Sequence, residues 1–206
     1  MYCKMKFLFM LFSFIFLVFI CGCATTVEEK TSGIIVTAPG VEDKSISLED
    51  FKLPIPEEEE TKNYLGISGQ GNFEILEIKT QILIIEVFSM YCPHCQKEAP
   101  RVNELYKSIQ ERIDLKDEIK IIGIGATNSA YEVSQFKKTY EIPFPLFPDE
   151  DISISKKLGA SSTPTFIAVK FLNNGDYEVF YFKSGSIGEA SQFLQKILEL
   201  SELKKE

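Results

Sequence analysis

Seven consecutive positions, Ile82–Phe88, carry one polar side chain, Glu86, in an otherwise aliphatic and aromatic run. A short unbroken apolar stretch rich in β-branched residues predicts a strand covered on both faces. Ile119–Ala126 has the same character, and so does Thr165–Phe171. Between them the period changes. Residues 92–112 suit a helix, residues 130–140 place Tyr131, Val133, Phe136 and Tyr140 at helical spacing, and residues 152–158 suit a short helix. Asn174-Gly175 predicts a tight turn into a strand over 177–182. The last element is an amphipathic helix, with Ala190, Phe193, Leu194, Ile197, Leu198 and Leu200 set against Glu189, Gln192, Lys196 and Glu199. Strand–helix alternation closed by a hairpin and a helix predicts an α/β fold with a mixed central sheet.

The beginning of the chain breaks this pattern. Lys4 and Lys6 precede Phe7 to Ile20, where only Ser13 is polar. The run is shorter than the roughly 20 residues of a spanning helix and suits a secretory signal. It ends in Ile20-Cys21-Gly22-Cys23, which resembles a bacterial lipobox with Cys23 as the acylated residue. The expectation is a signal over 1–22 and an envelope lipoprotein facing the periplasm or extracytoplasmic space; an uncleaved anchor is the alternative. Net charge is −8, and its source is local. Ten acids lie between Glu28 and Glu60 against Lys30, Lys44 and Lys52, so residues 23–60 read as a solvated acidic tether and 61–206 as one domain. The absence of a basic patch argues against nucleic-acid binding.

Cysteine usage now narrows the chemistry. Of five cysteines, Cys3 and Cys21 fall in the signal and Cys23 takes the lipid, which leaves Cys92 and Cys95. One close pair does not staple an exported domain; it is there to react. Cys92-Pro93-His94-Cys95 stands where the first buried strand gives way to a helix, the layout of a thiol–disulfide redox centre. The helix N-terminus favours a thiolate, and the two-residue spacer lets the second sulfur close on the first.

This arrangement resembles the thioredoxin superfamily and, within it, the membrane-tethered TlpA/ResA-type thiol–disulfide oxidoreductases. Pro100 matches a helix proline of that fold, Thr163-Pro164 its cis-proline loop, and Glu86 its buried acid beneath the active site. The resemblance spans residues 63–203 and implies a thioredoxin-like sheet with a TlpA/peroxiredoxin-type insertion between the βαβ and ββα halves. It further implies that Cys92 attacks, that Cys95 resolves, that Glu86 relays a proton to Cys95, and that Thr163 and Pro164 position the substrate. Pro93 starts the helix without wasting a donor. His94 is expected to stabilise the Cys92 thiolate, with a solvated spacer as the plain alternative. Tyr91 stands where relatives usually carry Trp and is expected to cover the disulfide. Glu98 and Glu104 read as solvated helix charges.

Other readings are weaker. Gln96 replaces the histidine of a haem-attachment motif, and the mature chain lacks four zinc ligands or a second histidine for copper. No cofactor is expected beyond the Cys92–Cys95 disulfide. The expected partners are protein thiols and disulfides and a membrane electron donor or acceptor. A reductase acting in cytochrome c maturation or envelope thiol homeostasis fits the resemblance best. The Pro-His spacer instead resembles DsbA-type oxidases; a non-catalytic binding lipoprotein and a thiol peroxidase are the remaining alternatives.

Overall fold

In the computed structural model, residues 35–36, 46–49 and 52–203 are described, and these belong to one unit within Ser32–Glu206. The elements are β1 (Ile35–Val36), β2 (Lys52–Pro54), α1 (Glu59–Leu65), β3 (Asn72–Glu74), β4 (Ile82–Phe88), α2 (Pro93–Gln110), β5 (Ile119–Ala126) and α3 (Ala130–Thr139). They continue through β6 (Leu146–Asp149), α4 (Ser153–Lys157), β7 (Thr165–Phe171), β8 (Tyr177–Ser184) and α5 (Ala190–Ser201). The main sheet runs β1-β8-β7-β4-β5-β6, with β4 parallel to β5 and antiparallel to β7. This is the mixed central sheet that the pattern of strands and helices predicts, and it agrees with the thioredoxin-like fold that the resemblance implies.

β4 is buried at every position because both of its faces are covered. Ile82, Ile84 and Phe88 pack with α2 and α5 through Ala99, Val102, Leu105, Phe193 and Ile197. Leu83, Ile85 and Val87 face a second cluster with Leu53, Leu65, Phe73, Ile75 and Ile154. Side chains alternate along a strand, so Glu86 falls on the same side as Ile84 and Phe88, the side of Cys95. Beside it, β5 needs glycine at 125, where a Cβ would lie 2.8 Å from Val133 Cγ2 of α3.

The second cluster corrects the expected tether. Ile46, Leu48 and Leu53 are buried, the Leu48 N–H donates to Tyr177 Oη at 3.0 Å, and β2 pairs antiparallel with β3. The acidic run is a helix start: Glu59 and Glu60 occupy the first turn of α1, where the helix dipole favours negative charge. The folded region therefore begins well before residue 61. Residues 1–34 lie outside the described residues, so the signal and Cys23 do too. Among the described residues no helix is long and apolar enough to cross a membrane.

Two side chains assigned to apolar faces are instead exposed, Tyr131 on α3 and Leu200 on α5. β6 escaped the reading of the sequence because it is a four-residue edge strand containing Pro148, too short for a period to show.

Candidate active site

The candidate redox cysteines sit where the end of β4 feeds α2. The Cys92 N–H closes a turn on Ser89 O at 3.0 Å, and Cys92 then caps the helix in an extended conformation. Its Sγ accepts from the Cys95 N–H at 3.4 Å, while Pro93 fills the first helical position, where a missing donor is harmless. Cys92 Sγ lies 3.3 Å from Thr163 O, and the Thr163–Pro164 peptide is cis. The sequence-predicted pair and the predicted loop thus meet at one sulfur.

The two thiols differ sharply. Burial pushes Cys92 up, but hydrogen bonds from the Thr163 side chain, the Cys95 N–H and the His94 backbone outweigh it, and the thiol lies below its ordinary value. Cys95 is fully buried; desolvation drives its pKa well above the usual thiol range, and the Glu86 and Cys92 charges push the same way. The pair therefore divides into a half-exposed thiol inclined to ionise and a buried one held protonated. His94 is exposed, and it is the His94 backbone that hydrogen-bonds to Cys92.

Glu86 is 2 % exposed, and its Oε1 has no hydrogen-bond partner. Burial, then the charges of Glu98 and Cys92, raise its pKa from 4.5 to about 8. A carboxyl so placed is largely neutral at pH 7 and holds an exchangeable proton beside the buried thiol.

Glu98 departs from the expectation of a solvated charge. It is 2 % exposed: Oε1 accepts from the Ile187 N–H at 2.7 Å and from Ser186 Oγ at 3.0 Å, and Oε2 accepts from Arg101 at 3.1 Å. Its position was readable, because Cys95, Glu98, Ala99 and Val102 form one helical stripe and all are buried. Glu104 is exposed as expected.

Tyr91 is 64 % exposed, and its hydroxyl donates to Glu132 on α3, so it is tied to that helix and does not form a closed lid. The loop before Cys92 is fixed by two residues that the sequence did not reveal. Buried Asn128 accepts from the Met90 N–H at 2.8 Å, and Gln96 Nε2 donates to Met90 O at 2.8 Å. Beside Cys92 opens a groove of about 660 Å³, walled by Val87, Ala126, Ile152 and Ala160 and bordered by Thr163. Among the described residues no group of three or more His, Cys, Asp or Glu side chains is placed to hold a metal ion.

Comparison with known proteins places this chain in a family. The AhpC/TSA family matches residues 47–172. The chain belongs to that family. Within it the chain is of the TlpA/ResA type of the thioredoxin superfamily. It is 24% identical to the thiol-disulfide oxidoreductase ResA of Halalkalibacterium halodurans over 69% of this chain and 75% of that protein. It is 27% identical to ResA of Bacillus thuringiensis subsp. konkukian over 67% of this chain and 76% of that one. A secreted Mycobacterium tuberculosis disulfide oxidoreductase homologous to E. coli DsbE superposes with a TM-score of 0.52 at 14% identity, covering 73% of this chain and 96% of that one. The structural likeness supports the thioredoxin-like fold, and the ResA relatives support oxidoreductase activity for this AhpC/TSA protein.

Proposed function

We propose that this protein reduces disulfides of other proteins outside the cytoplasm, anchored to a bacterial membrane by a lipid on Cys23. The observation that carries the reading is the division of labour at the helix N-terminus: Cys92 is lowered and half-exposed, Cys95 raised and buried, in one turn of α2. The Cys92 thiolate attacks a substrate disulfide; one substrate sulfur leaves and takes a proton, and the other stays bonded to Cys92. Cys95 then gives its proton to the ionised fraction of Glu86 and, as a thiolate, attacks the Cys92 sulfur; the second substrate sulfur leaves and takes that proton. Two electrons pass from the dithiol to the substrate. Recovery of the dithiol draws on an electron donor at the membrane, a role consistent with cytochrome c maturation or envelope thiol homeostasis.

The reduction potential of the Cys92–Cys95 couple, measured on the full chain against glutathione, tests this reading. A value near the roughly −270 mV of thioredoxin is expected for a reductase. A value near the roughly −120 mV of DsbA would make the protein a disulfide donor, the alternative its Pro-His spacer suggests. Absence of a reversible couple would leave only a docking role for the fold.

A further inference from the structure

At the end of the sheet away from Cys92, the start of β5 is not covered by a strand. β6 pairs with β5 only from Gly123 onward. At Ile121 a side chain of α1 takes the strand's place: the Ile121 N–H donates to Tyr64 Oη at 2.7 Å, and that hydroxyl donates to Ile121 O at 3.4 Å. Tyr64 thereby pins α1 to the edge of β5 and borders a cavity of about 570 Å³, which Gln110, the last residue of α2, also lines. The 18 residues of α2 place this cavity about 27 Å along the helix from the redox pair.

Several donors that line it lack an acceptor. Lys120, the second residue of β5, is only 6 % exposed. Among the described residues its Nζ makes neither a hydrogen bond nor an ion pair, and it lies 5.7 Å from the centroid of the Tyr64 ring. Tyr106 Oη has no hydrogen-bond partner among the described residues, and Gln110 Nε2 is a buried donor without one. Lys137 gives one of its three hydrogens to Phe144 O at 2.7 Å and keeps two. Burial lowers the pKa of both Lys120 and Lys137, and the charges of Asp117 and Glu58 offset that only in part. A buried ammonium without a facing anion is costly, and unpaired donors call for an oxygen acceptor.

The rest of the lining narrows the anion. Glu58, Glu60 and Asp117 are exposed along the cavity and balance Lys116, Lys120 and Lys137, so no surplus positive charge is present for a polyanion. The rings of Tyr64 and Tyr106, with centroids 5.8 Å apart, join Pro143 and Pro145 as apolar walls. The volume falls in the range of small-molecule sites and far exceeds one carboxylate group.

We propose that this cavity binds a small organic monoanion, a carboxylate with an apolar or aromatic body, with the carboxylate at Lys120 and Tyr106 Oη and the body against Tyr64, Pro143 and Pro145. No residue of the redox centre takes part, so binding stands apart from disulfide exchange.

Isothermal titration of the reduced full chain with sodium benzoate tests it, with acetate and inorganic phosphate as comparisons. Benzoate is expected to bind about tenfold more tightly than acetate, which lacks the apolar body, and about tenfold more tightly than phosphate. Lys120→Met keeps the length of the side chain and removes the charge, while Tyr106→Phe removes only the hydroxyl. Benzoate affinity is expected to fall about tenfold in the first and about fivefold in the second. Thermal unfolding supplies a second readout. Benzoate should raise the wild-type midpoint and leave that of Lys120→Met unmoved, and a cooperative transition in each variant confirms that it is folded. Absence of benzoate binding up to roughly 10 mM, acetate or phosphate binding as tightly as benzoate, or undiminished affinity in either folded variant would overturn the proposal.

Discussion

Asn128 Oδ1 accepts a hydrogen bond from the Met90 N–H at 2.8 Å, joining the end of β5 to the loop that delivers Cys92. The carboxamide is fully buried, and its Nδ2 reaches Ser89 Oγ at 3.5 Å. The Cys92 sulfur is thus placed by a side chain 38 residues beyond Met90 as well as by its own helix. Asn128→Ala leaves the Met90 donor without an acceptor, and about 1–3 kcal/mol of stability is expected to be lost in denaturant unfolding. Thiolate absorbance during a pH titration of Cys92 is expected to shift toward higher pH. An unmoved titration would mean that the loop keeps its shape without this anchor.

Glu86 ties stability to pH. Its folded pKa of about 8 lies above the usual 4.5, so between those values the folded state holds a proton that the unfolded chain has lost. Stability is therefore greatest below about pH 4.5 as far as this group is concerned, and it falls as pH rises through the folded value near 8. The slope is about 1.4 kcal/mol per pH unit within that window. Glu86→Gln should flatten this dependence in urea unfolding from pH 5 to 8 and also slow thiol exchange. A variant with the wild-type slope would show that Glu86 titrates normally.

Glu98 acts on Glu86 through charge and on α5 through hydrogen bonds. Glu98→Gln keeps an oxygen for the Ile187 N–H but removes the charge, the second largest cause raising Glu86. The pH profile of exchange attributed to Glu86 is expected to move to lower pH. Glu98→Ala also strands the buried Ile187 donor and should cost about 1.5–3 kcal/mol in denaturant unfolding. If Gln and Ala leave the same pH profile as wild type, the coupling between the two acids is absent.

The resolving role of Cys95 has a direct readout. With Cys95→Ser, Cys92 still forms a mixed disulfide, but no internal sulfur releases it. Incubation with a reporter protein disulfide is expected to leave a covalent, reductant-sensitive adduct, whereas Cys92→Ser should form none. Adducts with Cys92→Ser in place of Cys95→Ser would reverse the two assignments.

What the sequence disclosed and what it withheld follow from how far each interaction reaches along the chain. β4 and the place of the Cys92–Cys95 pair at the start of α2 were legible because an unbroken apolar run and a Cys-x-x-Cys spacing are local signals. Glu86 stood out for the same reason, as one acid inside that run. Asn128 and Asp149 were not legible: each is a polar residue made tolerable in the interior by partners elsewhere, and such partners exist only once the chain has folded. Glu98 shares a helical stripe with Cys95, Ala99 and Val102 and was readable by that spacing, but the exposed charges of Lys97 and Arg101 beside it favoured the reading of a solvated acid. The N-terminal strands were hidden by composition. β2 buries a single residue, Leu53, within the segment whose acids suggest a linker, and β3 buries only Phe73 in a strand of three residues, too short for a period to show.

That segment supplies the last prediction. Leu53 is fully buried in the cluster that covers one face of β4, so Leu53→Ala should cost about 2–5 kcal/mol, the range for a large core side chain. Tyr177→Phe should cost about 1–3 kcal/mol, because it strands the Leu48 N–H that its hydroxyl receives. Leu53 and Tyr177 lie in β2 and β8, so a shared loss would show the N-terminal segment unfolding with the sheet. Cooperative thermal unfolding with near-wild-type midpoints for both variants would instead mean that residues 46–54 behave as a tether. The active site offers an independent check. Val87 both packs in that cluster and lines the groove beside Cys92, so loosening the segment should also lower the rate of disulfide exchange at Cys92. Destabilisation without that loss would show that Val87 is held by the sheet alone.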